Sequence, residues 1–205
     1  LMAGQSAIAA PKPLTEAERK KSRVQIDAAI LKAARKTVTS LDLQGKGIAD
    51  LAPLAELTEL KRLKLGWNPI TDLTPLAGLT KLEFLDLRVS KSKDLTPLAG
   101  LKSLKILYLD HNPQIKDYSP LTAISSQLEE FSCTQNAITN LETVGVAQMR
   151  SLKKIWLDQN PLTDLTPLTK LTKLEFLHIS HNQITDLTPL SGLTKLETLH
   201  LKNNQ

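Results

Sequence analysis

The sequence is short of most residues that carry chemistry. Its 205 residues include one cysteine, eight glycines and seven aromatics. A single cysteine excludes an internal disulfide framework and any paired-cysteine zinc site. No run of about 18 apolar residues occurs, which excludes a conventional transmembrane helix. The glycines are scattered, and no phosphate loop, nucleophile elbow or His-Glu-x-x-His segment is present. Leucine, by contrast, accounts for forty residues. So much leucine with so few large rings points to one short unit used many times over.

The formal net charge is +5, and its location decides its meaning. Residues 12–36 hold eight basic and three acidic side chains, whereas residues 37–205 hold eighteen of each sign. The larger part of the chain therefore offers no single-sign field for phosphates, and nucleic acid is not the expected partner. The run Arg19-Lys20-Lys21-Ser22-Arg23 reads as a solvated face.

The first ten residues are uncharged and small or apolar, and Ala7-Ile8-Ala9 has the small-x-small spacing that signal peptidase needs. Residues 1–9 read as the residual end of a signal peptide, and residues 10–23 as a charged linker opened by the capping-box pattern Thr15-Glu16-Ala17-Glu18. Asp27 is placed to cap a helix over 27–36, with Ala29, Ile30, Ala33 and Ala34 on one stripe and basic residues near its end. That helix makes residues 24–40 an N-terminal cap for the remainder of the chain.

From residue 41 onward the chain repeats itself. Leu41, Leu63, Leu85, Leu107, Phe131, Ile155, Leu177 and Leu199 are equivalent, at steps of 22, 22, 22, 24, 24, 22 and 22. Two residues on come Leu43, Leu65, Leu87, Leu109, Cys133, Leu157, Ile179 and Leu201. Asn68, Asn112, Asn136, Asn160, Asn182 and Asn204 stand five places after the first position. Most units then run into Asp-Leu-x-Pro-Leu, as at Asp72–Leu76, Asp94–Leu98, Asp164–Leu168 and Asp186–Leu190. Leu-x-Leu predicts a short strand with two side chains inward. The asparagine turns the chain, and its amide can donate to and accept from adjacent turns. The Asp-Leu-x-Pro segment suits a 3₁₀ turn in which Asp accepts N–H groups and Pro bars strand pairing. One unit cannot bury its leucines alone, but stacked units share a continuous core.

This pattern resembles the leucine-rich repeats, specifically the 22-residue class of the internalins and related bacterial surface proteins. Leu63-Lys64-Leu65-Gly66-Trp67-Asn68-Pro69-Ile70-Thr71-Asp72-Leu73-Thr74-Pro75-Leu76 lies close to that class's consensus. The resemblance implies an α/β solenoid: a right-handed superhelix with a parallel sheet on its concave side, 3₁₀ turns on its convex side and a helical N-terminal cap. It implies a non-enzymatic module that binds a protein partner, secreted or at the cell surface. An intracellular scaffold resembling the phosphatase regulators that share this repeat length is the first alternative. A recognition domain of a larger enzyme continuing past residue 205 is the second. The last of about 7.5 units stops mid-repeat, so the natural chain is expected to continue.

Three units depart from the pattern. Ser90 and Ser92 replace the asparagine and the following isoleucine of the third, which predicts a less ordered loop over 88–94. The fourth has an extra residue near Gln114, and the fifth replaces its proline segment with Glu142-Thr143-Val144.

Residues one before the first inward leucine, and one, three and four after it, should face away from the core. Five of the seven aromatics fall there (Trp67, Phe84, Tyr108, Trp156 and Phe176), as do all four histidines, His111, His178, His181 and His200. Together with Arg88, Asp110 and Asp158 they form the expected partner-binding set, since exposed rings in a mixed-charge field suit a protein interface. No catalytic residue, cofactor or metal site is expected, and no membrane insertion by the repeats. His178 and His200 lie in one column and could approach a common ion, but no motif fixes a third ligand. Cys133 occupies a core position and reads as a buried thiol. The column Asp50, Asp72, Asp94, Asp117, Asp164 and Asp186 reads as turn capping rather than a calcium ladder.

Overall fold

A computed structural model describes Thr15, Ala17 and residues 38–205. The signal segment 1–9, most of the linker 10–23 and the cap helix 27–36 lie outside the described residues. Eight three-residue strands follow one another: β1 (Ser40–Asp42), β2 (Arg62–Lys64), β3 (Phe84–Asp86), β4 (Ile106–Tyr108), β5 (Glu130–Ser132), β6 (Lys154–Trp156), β7 (Phe176–His178) and β8 (Thr198–His200). They form one open sheet in sequence order, every pair parallel. The middle residues are the eight positions that the repeat identifies, paired in register as Leu41↔Leu63, Leu107↔Phe131 and Leu177↔Leu199. The two-residue insertions in the fourth and fifth units leave that register unchanged.

The register holds because each unit buries the same side chains. The middle residues of β2 to β7 are fully buried, as are Leu65, Cys133, Leu157 and Ile179 two places on. Burial pushes the Cys133 thiol up to about 12, so it stays protonated and inert at neutral pH. A continuous apolar core therefore runs the length of the solenoid.

Backbone groups at the turns are satisfied by the asparagines. Asn68 Nδ2 donates to the Leu43 and Leu65 carbonyls at 2.9 and 2.7 Å, and its Oδ1 accepts the Ile48 N–H at 2.9 Å. Asn160 donates to Cys133 and Leu157, and accepts from Asn136 and Ile138. Asn182 repeats the arrangement on the next unit. Opposite the sheet lie 3₁₀ segments such as Thr74–Leu76 and Thr188–Leu190, with proline in the first turn, where its missing N–H leaves no acceptor unpaired. Each is preceded by its aspartate. Asp72, Asp94 and Asp186 accept the N–H two residues on at 2.8 Å. Bonds from the following threonine hold these carboxyls below the usual range.

The third unit is braced from its neighbour. Ser90 and Ser92 are buried, and Ser92 donates to the Ile70 carbonyl at 3.2 Å. Gln114 Nε2, delivered by the extra residue of the fourth unit, donates to the Ser90 and Ser92 carbonyls at 3.1 Å and to Asn112 Oδ1 at 3.0 Å. The expected loosening of 88–94 therefore meets a compensating amide, and the two sequence departures form one structural device.

One feature of every unit is not legible in the sequence. The residue before each asparagine position has a left-handed backbone: Gly45, Trp67, Val89, His111, Gln135, Gln159, His181 and Asn203, with φ from 53° to 66°. Val89, at 53°, is the β-branched member, and that geometry strains its Cβ against its own backbone.

Candidate functional site

The outward side chains of the strands form columns one repeat apart, so rings far apart in the sequence come together across the sheet. Phe84 packs edge-on to Tyr108 with centroids 5.5 Å apart, and Tyr108 edge-on to Trp156 at 6.1 Å. Trp156 meets Phe176 at 5.2 Å, and Phe176 stacks on His178 at 4.3 Å. His178 in turn stacks on His200 at 3.8 Å. The stripe crosses the sheet from β3 to β8. Arg62 extends it on one side, with its guanidinium 4.2 Å from the Phe84 centroid.

Beside the stripe lies a cleft of about 450 Å³. Trp67 and Trp156 line it with Tyr108, His111, Arg88, Val89, Asp110, Ser132 and Thr134. Ser132 stands between Tyr108 and Trp156 in one column, and its small side chain leaves the notch. Its hydroxyl donates to Asp110 Oδ1 in a short bond, and the Thr134 N–H donates to the same oxygen at 2.8 Å. Asp86 is fully buried and grips Arg88, with Nε to Oδ1 at 3.0 Å and Nη2 to Oδ2 at 2.6 Å. Gly66 makes room for this pair: a Cβ there would stand 3.0 Å from Asp86 Oδ1. Tyr108 donates to Glu130 at 3.0 Å, and burial beside that carboxylate pushes its phenol up to about 12.

Most of the expected partner-binding residues fall into two groups. Trp67, Arg88, Tyr108, Asp110, His111 and Trp156 meet at the cleft, while Phe176, His178 and His200 continue the stripe. Phe84 is 7% exposed and Asp110 8%, so Phe84 supports the stripe from beneath Arg62 and Asp110 floors the cleft. Asp158 lies 3.5 Å from His178 Nδ1. His181 lies apart from the rings, its imidazole against the Asn203 amide at 3.0 Å. Arg62 lies on the outward face, as its spacing predicts, and Ser132 and Thr134 line the cleft although the sequence did not single them out. A serine between two aromatics of one column was the available signal for the notch.

Burial lowers the pKa of His178, the adjacent His200 lowers it further, and Asp158 partly opposes both. The His178 and His200 rings are stacked 19° from parallel, so their lone pairs do not converge on one ion. Among the described residues no group of three His, Cys, Asp or Glu side chains is arranged to hold a metal. No helix among them is long and apolar enough to cross a membrane.

A parallel ladder of short strands, 3₁₀ turns and an asparagine spine defines a leucine-rich-repeat solenoid. A family model described as two copies of leucine-rich repeats matches residues 172–205. Internalin C2 of Listeria monocytogenes is 36% identical, with a TM-score of 0.74 over 80% of this chain and 71% of that one. Internalin F of the same organism is 35% identical, with a TM-score of 0.67 over 77% of this chain and 52% of that one. The functional domain of InlJ, which includes a cysteine ladder, is 27% identical, with a TM-score of 0.60 over 82% of this chain and 40% of that one. The chain thus spans about half or less of the last two. Comparison with curated proteins yields no match. The chain belongs to the internalin-like leucine-rich-repeat family, whose fold is that of a protein-interaction module.

Proposed function

We propose that the protein is a non-enzymatic module, secreted or held at the cell surface, that binds a protein partner on its concave face. The carrying observation is the stripe of rings from Phe84 to His200, which lies on the outward side of the sheet, away from the leucine core. Aromatic anchors surrounded by paired charges are the composition of interface centres. Eight strands at about 4.8 Å give a strip about 34 Å long, enough for a standard footprint of about 800 Å². Export rests on the Ala7-Ile8-Ala9 spacing and on the family resemblance.

The test uses three variants and a protein partner captured on the immobilised wild-type chain. Trp156→Ala and Tyr108→Ala should fold and lose about 2 kcal/mol of binding each if they are anchors. Leu157→Ala, one residue from Trp156 but in the core, should lose stability instead. Full-strength binding by both ring variants would exclude this face. Finding the protein confined to the cytosol on fractionation would exclude export.

A further inference from the structure

Carboxylates on the outer face of the sheet have basic groups close by, with one exception among the described residues. Asp42 meets Lys64 at 2.9 Å, Glu130 meets Lys154 at 3.0 Å, and Asp158 has the imidazole of His178, a cation only when protonated, at 3.5 Å. Asp86 holds Arg88 through two contacts. Asp110 has no basic side chain bonded to it. Arg88, just after the neighbouring β3, feels its charge, but that guanidinium is already committed to Asp86. Asp110 Oδ1 is occupied by Ser132 and Thr134, while no donor among the described residues bonds Oδ2, and the residue lines the cleft. Asp86, Arg88 and Asp110 together leave surplus negative charge at the floor of a cleft walled by two tryptophans and a tyrosine. Apolar walls strengthen the field of a carboxylate, and indole faces attract cations.

The shape adds a constraint. Trp67 follows β2 and Trp156 ends β6, four strand spacings away, or about 19 Å. That is the reach of about six extended residues. We propose that the cleft receives a lysine or arginine side chain carried on an extended segment of the partner protein, its cation on Asp110 Oδ2 and its flanking residues running toward Trp67 and Trp156. This rests on the outer sheet face being the partner surface.

The chain's two tryptophans both line the cleft, so intrinsic fluorescence reads its occupancy. The full chain is titrated with acetylated, amidated six-residue glycine–serine peptides carrying one central lysine, arginine, norleucine or glutamate. The lysine and arginine peptides should give a saturable change that the norleucine and glutamate peptides do not. Asp110→Asn should weaken the lysine peptide about tenfold, the loss of one charge-assisted contact. Asp42→Asn, outside the cleft, should leave it unchanged. Should Asp110→Asn disturb folding, the wild-type chain decides the matter: raising salt from about 0.05 to about 0.5 M should weaken the lysine peptide. Equal response to norleucine, or indifference to both Asp110→Asn and salt, overturns the proposal. So does n-butylammonium binding as tightly as the peptide, because the segment would then contribute nothing. None of these results bears on the wider reading, which stands or falls with partner binding by the Trp156 and Tyr108 variants.

Discussion

Compare the units around Asn68, Asn160 and Asn182 with those running from Leu85 to Lys154. The first group keeps the consensus, and each asparagine supplies its own amide to two carbonyls. The second breaks it with Ser90, an extra residue at Gln114 and a 3₁₀ segment lengthened to Ser119–Gln127. Both groups nevertheless hold the same strand register. What the fold requires is a filled core position and a partnered carbonyl, and more than one residue can supply the second. The irregular units also furnish the floor of the cleft: Arg88 and Val89 from the third, Asp110 from the fourth, Ser132 and Thr134 from the fifth. Departure from consensus and the floor of the cleft thus share one stretch of chain.

The comparison can be broken most forcefully in the regular units. Leu157→Ala should cost about 2–5 kcal/mol in urea melts, because neighbouring layers cannot collapse into the void without disturbing their own leucines. Asn160→Ala should cost about 3 kcal/mol, since it strips the Cys133 carbonyl and the Asn136 and Ile138 N–H groups of their partner and leaves the Leu157 carbonyl only Asn182. A cost below that of an ordinary surface substitution would show that the spine is dispensable.

In the irregular units the effects should be smaller. Gln114→Ala should cost about 1–2 kcal/mol and speed hydrogen exchange over 88–94, because the Ser90 and Ser92 carbonyls lose their donor. Unchanged exchange there would separate the two sequence departures that the structure joins. Val89→Asn should stabilise the chain by about 1 kcal/mol, since asparagine tolerates the left-handed turn that valine resists. A loss of stability would mean that valine's packing in the cleft outweighs its backbone strain.

The smallest effect concerns pH. His178 has a lowered pKa in the folded chain, so the unfolded chain takes up its proton first. Stability should be unaffected above the unfolded value near 6.5, fall as pH drops below it, and level off below the folded pKa. His178→Gln should flatten that stretch of the pH–stability curve. An identical slope in the variant would assign it to other groups.

Much of the architecture is legible in the residues alone. Leucine periodicity locates all eight strands, because a side chain every second residue faces the core and a repeat must present the same face each time. The asparagine column foretells the ladder, and the aspartates before Leu-x-Pro foretell the capped turns. The outward columns come from the same alternation, so Tyr108, Trp156 and His178 can be assigned to one face by counting. Other features cannot be counted. The left-handed residue before each asparagine is set by how sharply the strand must leave the sheet, and residue types as unlike as Trp67, Val89 and His181 adopt it.

Spacing fixes the direction in which a side chain points, and for a solenoid that settles the architecture, since every unit contacts only its neighbours. It does not fix what the side chain meets after leaving the backbone. Phe84 has the spacing of a surface residue and lies under Arg62; Gln114 interrupts the repeat and is the brace of the unit before it. Asp110 is one charge among many in the sequence, yet Ser132 and Thr134 turn it into a carboxylate with one committed oxygen and one open one. These outcomes depend on side-chain reach across 22 or 24 residues of intervening chain. Only the stacked structure brings those positions within hydrogen-bonding distance.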